Sequence, residues 1–493
     1  QNFKTELIND LPVDEELSFY QSGNFKDLCR GPHVASSEEI NAEAFCLTQT
    51  AGAYWRGDEK REMLVRIYGL AFETQKELAD YKAMLEEAKK RDHRLLGKQL
   101  DLFTFSELVG PGLPLWTPRG TILRQEIDGF VWELRQAYGY EKVTIPHITK
   151  KSLYDVSGHS QKFADGLFTI ITREGHEFAM KPMNCPHHTQ IYNHLPRSYR
   201  DLPQRYAETT MVYRDEQSGE LSGLARVLSI TQDDAHVFCR ENQVKDEVLK
   251  IVNIVQTFYK TFGFELKIRL SLHDPEQLEK YLGDETVWQK TENDLKDLLK
   301  QANLEFTEGL GEAALYGPKI DFMAQDSLGR KWQVATIQLD RNLPIRFDLY
   351  CINEKSEQER IVMIHAAIAG SLERFSAVLI EHLAGDFPLW LAPVQIKILT
   401  VSENHVEFAK KLAAEFKLQN LRIEIDDSNE TLGNKIRKNS AEKIPYTLVI
   451  GDKEIASSEM AIRVRGQKDL LNISKEEFIK LAKTKIENRE LAL

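Results

Sequence analysis

At the tract FPLWLAPVQ, residues 387–395, the pattern of the chain changes, and the remaining C-terminal segment admits few folds. Beyond the tract come IKILTV, a helix near 404–419, LRIEID, a helix near 431–441, YTLVIG, AIRVRG and a final helix. This alternation predicts an α/β domain with a largely parallel sheet. Ahead of the tract the rhythm differs. Residues 206–239 hold two apolar runs, TTMVYRDE and ARVLSITQDDAHVF, on either side of the turn-rich QSGELSG, which reads as strand–loop–strand. RKWQVATIQLD (330–340) reads as another strand. MIHAAIAGSLERFSAVLIEHLA (363–384) opens near a strand and runs on as a helix.

Other segments set the organisation. After the Pro/Gly-rich loop PGLPLWTPRG (111–120), Ile122, Leu123, Ile127, Phe130, Val131, Leu134 and Tyr138 form the wide apolar face of a helix that Gly139 can end. EKVTIP then reads as a strand stopped by Pro146. Residues 74–100 read as a helical linker, with Leu78, Tyr81, Leu85 and Ala88 on one face. Residues 1–73 read as short strands and loops. A length of 493 residues fits about three domains.

No apolar run approaches membrane-spanning length. QNFKTELIND at the start lacks the basic and apolar regions of a signal peptide, and it lacks an initiator Met, so a fragment or processed form is expected. The cysteines at 29, 46, 185, 239 and 351 are odd in number and scattered, which fits a reducing cytoplasm better than a disulfide framework. Net charge is -12, yet residues 391–493 carry +2. Local charge governs contact, so an acidic body does not exclude a polyanionic ligand.

The segment MKPMNCPHH (180–188) places a lysine, a cysteine and two histidines around prolines that oppose regular secondary structure. Cys185, His187 and His188 lie close together, whereas His236 and His365 are far off in sequence. Each histidine taken alone reads as a satisfied structural residue rather than as a ligand, although zinc sites are also assembled from distant segments. CRGPH (29–33) reads as a turn or as a second Cys/His pair. There is no G-x-x-x-x-G-K-[ST] loop and no convincing G-x-G-x-x-G fingerprint, so side chains would have to hold any nucleotide phosphates. Arg214 and Glu216 end one strand, Arg226 begins the next and Arg374 starts a helix. These read as phosphate-binding arginines or as surface ion pairs of little energetic weight.

Jointly the segments carry a resemblance. DLCRGPHV, TAGAYWRGD, KRDHRLLGKQLDLF, KPMNCPHH, SYRDLPQRYAE, YRDEQSGELSGL, TQDDAHVFC, ALYGPKIDF, TIQLD, MIHAAIAGSLERF and WLAPVQ occur in this order. The chain resembles the threonyl-tRNA synthetases, class II aminoacyl-tRNA synthetases, along essentially its whole length. The implied fold is α+β: an antiparallel sheet flanked by helices, a C-terminal α/β anticodon-binding domain and the remnant of an editing domain. The implied domains are 1–73 (editing), 74–100 (linker), 101–388 (catalytic) and 389–493 (anticodon). Helix 121–139 and its following strand would be motif 1, at the interface of a homodimer. Arg214 and Glu216 belong to motif 2, and Gly370, Glu373 and Arg374 to motif 3.

The resemblance further implies a cytoplasmic threonine–tRNA ligase with one Zn²⁺ per chain on Cys185, His236 and His365. It implies ATP with Mg²⁺, L-threonine and tRNA(Thr) as partners, and no membrane. Met183, Gln232, Asp234, Tyr316 and Gln338 match threonine contacts, with Asp234 accepting the substrate hydroxyl. Arg214, Glu216, Arg226, Gln333 and Arg374 match nucleotide contacts. His159, in SGHSQKF, matches a histidine that assists transfer to tRNA. Glu454, Arg463 and Arg465 are expected at the anticodon, with both arginines on one side of a strand. Ile230 stands where the family often has Phe, VLS (227–229) replaces the common VRG, and motif 3 keeps one of the glycines common in class II enzymes. Cys29 and His33 match half of the editing site. Its H-x-x-x-H half is absent, so the chain is expected to form Ser-tRNA without clearing it. A regulatory relative without catalysis, or a class II enzyme for another amino acid, would lack threonine-dependent exchange of pyrophosphate into ATP.

Overall fold

The computed structural model describes every residue except Gln1, Val13, Asp14 and Glu59, and all their side chains except those of Lys162 and Ser218. Two compact units result, residues 1–87 and 88–493. The first holds a helix, Asn2–Asp10, and two antiparallel ribbons, Phe19–Ser22 with Phe25–Leu28 and Phe45–Tyr54 with Met63–Ala71. A two-stranded ribbon covers neither of its faces. Among the described residues of this unit only Ala44 and Leu78 are buried apolar groups, and Leu47, Val65 and Ile67 stay exposed.

The expected single helix over 74–100 is two helices, Gln75–Arg91 and His93–Gln99. Asp92 breaks the run: its backbone leaves the helical region and its side chain accepts the Arg94 N–H as an N-cap.

The larger unit is built on an eight-stranded sheet in the order Phe306–Leu310, Glu265–Leu272, Lys319–Gln325, Lys331–Asp340, Val362–Ala367, Ser229–Cys239, Gln204–Tyr213, Glu141–Lys142. The six inner strands pair antiparallel, and the two outermost join in parallel. Alternation along each strand divides the side chains. Ala235, Val237, Ile337, Leu339, Ile364 and Ala366 enter the core with Phe130 of helix Pro118–Ala137, Phe258 of Val244–Thr261 and Phe375 of Leu372–His382. Their neighbours His236, Gln338 and His365 face the other way, over a smaller core containing Cys185, Phe238 and Met363. The strand expected for EKVTIP is only Glu141–Lys142. Val143 still donates to Ala207, but the Ile145 N–H turns to the Glu208 carboxylate ahead of Pro146.

Beyond residue 387 a five-stranded sheet runs Ile423–Asp426, Ile396–Thr400, Tyr446–Ile450, Glu459–Val464, Leu470–Ser474. The first three strands are parallel and the last two antiparallel, which corrects the expected largely parallel sheet. The cause is connection length. Residues 451–458 and 465–469 are too few for the crossover of a dozen or more residues that parallel neighbours need. This sheet packs its own core around Ile398, Phe416, Tyr446, Leu448 and Phe478. Charges join it to helix Pro118–Ala137. Arg119 pairs with Glu424 at 2.6 Å and Glu442 at 3.0 Å, Glu126 with Arg422 at 2.6 Å, and Glu133 with Arg489. Among the described residues no helix is long and apolar enough to cross a membrane.

Candidate active site

Strand register assembles the site. Gln338 lies opposite His365, and His365 opposite His236, so three neighbouring strands set these side chains in one row on one face. Cys185 comes from outside the sheet. It begins the helix Cys185–Asn193, so the segment expected to avoid regular structure is helical from residue 185. Pro186 falls in the first turn, where a missing N–H costs nothing.

The donor atoms of Cys185, His236 and His365 all lie within 4.8 Å of one another, and all three residues are buried. His236 Nε2 and His365 Nδ1 are 3.1 Å apart. The outer nitrogens are held as well: His365 Nε2–H donates to Asp340 Oδ2 at 2.8 Å, and His236 Nδ1 meets His188 Nδ1 at 2.7 Å. If His236 donates to His188, two imidazole lone pairs face each other beside a thiol. This is the donor set zinc takes, and nitrogens 3.1 Å apart can both reach an ion at about 2.0–2.1 Å. Burial pushes His236 well below the usual imidazole range, so it stays neutral, as a ligand must. Burial, with Asp234 and Asp340 nearby, pushes the Cys185 thiol well up, so binding a cation there releases a proton.

Around this triad stand the expected pocket residues. Asp234 is buried, and its Oδ2 accepts from Asn184 Nδ2 at 3.0 Å. Tyr316 stacks on His365, with ring centroids 4.6 Å apart, and its hydroxyl donates to Gln338. His159 is buried, with Ser157 Oγ 2.8 Å from Nδ1 and Met183 Sδ 3.1 Å from Nε2. Burial, with His365, Arg214 and Arg346 nearby, pushes its pKa down to about 4.

A cavity of about 240 Å³ adjoins, lined in part by Arg214, Ile230, Gln232, Gln333, Gly370 and Arg374. Among the described residues neither Arg214 nor Arg374 pairs with a carboxylate. Arg214 Nε–H reaches Pro182 O at 3.5 Å, and Arg374 Nε–H donates to Ala225 O at 3.1 Å. Arg226 differs, pairing with Glu216 at 2.5 Å and Glu220 at 3.0 Å. Two guanidinium groups in one cavity without a direct carboxylate pair among the described residues favour an anionic occupant. Gln333 holds Asp321 at 2.8 Å from the cavity wall.

Two groups of expected site residues lie elsewhere. Cys29 Sγ and His33 Nε2 are 3.0 Å apart in the first unit. In the C-terminal sheet Arg463 is exposed, and Glu454 accepts the Gly451 N–H at 3.0 Å. Arg465 corrects an expectation. It falls one residue past strand Glu459–Val464, and its guanidinium donates to Lys443 O at 2.5 Å and Phe387 O at 2.7 Å, so it does not share a free face with Arg463.

The sequence reading gives no role to Asp340, His188 or Asn184. Asp340 carried a usable signal, since it lies two residues beyond Gln338 on the same strand and so on the same face. His188 stood out only as a member of the Cys/His segment 185–188, and Asn184 carried no signal, because helix phase in a proline-flanked segment is not readable.

Comparison with known proteins is consistent along the chain. Residues 168–383 match the family described as tRNA synthetase class II core domain (G, H, P, S and T). Residues 394–485 match the Anticodon binding domain, and residues 17–68 the Threonyl and Alanyl tRNA synthetase second additional domain. A threonine–tRNA ligase of Cytophaga hutchinsonii is 49% identical over 487 residues, covering 98% of this chain and 75% of that protein. One of Deinococcus deserti is 50% identical over 464 residues, covering 94% of this chain and 71% of that protein. A crystal structure described as the RNA binding domain of threonyl-tRNA synthetase from Cryptosporidium parvum Iowa II superposes with a TM-score of 0.76 at 37% identity, covering 80% of this chain and 98% of that one.

Proposed function

The chain belongs to the threonine–tRNA ligase family of class II aminoacyl-tRNA synthetases, and on that premise we propose that it activates threonine with ATP and passes the threonyl group to tRNA(Thr), with Zn²⁺ selecting the amino acid. One observation carries this reading. The Cys185, His236 and His365 cluster adjoins a cavity in which Arg214 and Arg374 form no direct ion pair with a described carboxylate.

Zinc, when bound, supplies a Lewis acid with room for the amine and hydroxyl of the substrate. The chain's own residues do the rest. Asp234, steadied by Asn184, accepts the hydroxyl hydrogen. Valine offers no such hydrogen and would leave the buried Asp234 without its partner. Met183, Gln232, Tyr316 and Gln338 line the remainder of the pocket. The threonine carboxylate attacks the α-phosphorus of ATP, which arrives with Mg²⁺, and pyrophosphate leaves. Arg214 and Arg374 oppose the charge that builds up at that phosphorus. Glu216, Arg226 and Gln333 hold the nucleotide, and Ile230 packs against the adenine where an aromatic ring would stack. A tRNA ribose hydroxyl then attacks the threonyl carbonyl and AMP leaves. Threonine-dependent exchange of labelled pyrophosphate into ATP tests this. Exchange with another amino acid but not with threonine would overturn it.

His159 we assign to the transfer step. It stays neutral, so its acid form is absent near neutrality. The pH profile of transfer is expected to lack an inflection near 6.5, and His159→Asn is expected to slow transfer while leaving pyrophosphate exchange within about threefold. An inflection near 6.5 that the substitution removes would overturn the assignment.

We divide the chain into 1–73 as the second additional domain with Cys29 and His33, 74–100 as linker, 101–388 as catalytic domain and 389–493 as anticodon-binding domain. Arg463 and Glu454 are our proposed anticodon contacts, with Arg465 bracing the sheet that bears them. A cytoplasmic homodimer completes the proposal. The dimer rests on the resemblance of helix Pro118–Ala137 and the strand after it to the interface motif of the family.

A further inference from the structure

Away from the metal cluster and the phosphate cavity, one buried imidazole grips the loop between strands Gln204–Tyr213 and Ser229–Cys239. His93, at the start of helix His93–Gln99, is 5% exposed. Its backbone N–H and its Nδ1 both reach Glu381 Oε1, at 3.1 and 2.7 Å. Its Nε2 accepts the Leu224 N–H at 3.1 Å. A backbone N–H can only donate, which settles the tautomer: Nδ1–H donates to the carboxylate, and Nε2 holds the lone pair. Glu381 is fixed in turn, because Arg330 donates to its Oε2 at 2.5 Å and Arg330 is itself held by Asp326. Burial disfavours charge on Glu381, yet the bonds from His93 and Arg330 hold its carboxyl below the usual range.

Gly223 adds an independent constraint. At φ +50° it presses against the same ring, and a Cβ there would lie 2.3 Å from His93 Nε2 and 2.9 Å from Arg94 Cγ. So Gly223 and Leu224 are both seated on His93. Ala225, the next residue, is held through its carbonyl by Arg374, and Arg226 then pairs with Glu216. The returning limb of the loop is thereby fixed at consecutive residues, first by His93 and then by groups of the phosphate cavity. Asp92, His93 and Glu381 have donor atoms close enough for a metal, but Arg94 already neutralises Asp92 and Arg330 neutralises Glu381.

We infer that His93 is a positioning residue for ATP: through Leu224 it holds the limb 223–226 so that the Ala225 carbonyl orients Arg374 toward the triphosphate. This rests on the reading of the cavity as the ATP site. It concerns binding of one substrate, so the two Michaelis constants separate it from a purely structural role.

The test is pyrophosphate exchange by the full chain carrying His93→Asn or His93→Gln. Asparagine keeps a group near the Nδ1 position for Glu381 but ends short of Leu224. Glutamine carries an acceptor out to the Nε2 position. His93→Asn is expected to raise KM for ATP about tenfold, the effect of one lost hydrogen bond, with KM for threonine within about twofold of the parent. His93→Gln is expected to recover most of that rise. Gly223→Ala, which displaces the loop while leaving the imidazole, is expected to reproduce the rise and stands in should His93→Asn fail to fold. Lower thermal midpoints in all three variants with no change in KM for ATP would overturn the inference, as would equal effects of asparagine and glutamine on it. Arg214→Ala is assayed alongside. If it leaves exchange intact, the ATP-site reading fails. If it abolishes exchange while His93→Asn and Gly223→Ala leave KM for ATP unchanged, only the role of His93 fails.

Discussion

Cys185→Ala is expected to empty the metal site and to erase most of the preference for threonine over valine. A pocket built around a substrate hydroxyl rejects the analogue lacking it by about 10⁴–10⁵, whereas apolar packing separates such isosteres by only about 10². Loss of the metal should therefore reduce the ratio of kcat/KM for threonine to that for valine by about 10²–10³. Cys239→Ala is the control. That thiol is buried to the same degree but lies on the helix-covered face of the sheet, so the variant should keep both its zinc and its selectivity. Metal analysis gives a readout independent of activity. Because the Cys185 proton must leave before a cation binds, retention against a fixed chelator should fall as pH falls. Full zinc in both Cys185→Ala and His365→Ala would sink the assignment.

Arg214→Ala is expected to lower the rate of threonine-dependent pyrophosphate exchange by about 10²–10³, the usual effect of removing one preorganised donor from developing charge. Arg226 supplies the contrast within the same site. It lines the same loop but already pairs with Glu216 and Glu220, so its charge is largely spent. An exposed pair of this kind contributes about 0–1 kcal/mol, so Arg226→Ala is expected to slow exchange by no more than about fivefold. Among the described residues Arg214 forms no ion pair with a carboxylate; its Nε–H reaches the Pro182 carbonyl and its guanidinium lies 5.6 Å from the Phe163 ring. A larger loss from Arg226→Ala than from Arg214→Ala would reverse these roles.

Much of this site was legible because it is written on strands. Period-two alternation places Gln338 and Asp340 together, and strand pairing then brings His365 and His236 into the same row. The three proposed ligands, Cys185, His236 and His365, could be named from resemblance, but the partners of the outer nitrogens of the two histidines depend on register and on helix phase. Neither is fixed by local pattern. The same limit explains the misreadings. Asp92 interrupts a run whose apolar periodicity continues through it, so only its capping bond reveals two helices. In the C-terminal sheet the alternation of strands and helices was plain, yet strand direction depended on the short segments 451–458 and 465–469. Arg465 looked free because alternation was carried one residue beyond the end of the strand, to a position where carbonyls of two other segments claim its guanidinium.

The charged seam along helix Pro118–Ala137 limits how such a protein can be reassembled from parts. Arg119, Glu126 and Glu133 are spaced by about two helical turns and so form one stripe. The C-terminal domain answers in the opposite sign at each place: acid, base, base. A domain borrowed from a relative would need the same three-letter charge code, whatever bases it reads. Grafts with a scrambled code would set like charges against each other along this helix and weaken their seat on it. The stripe thus acts as a compatibility key between modules, and it restricts which of them can recombine without any change to the catalytic centre or to the surface that meets RNA.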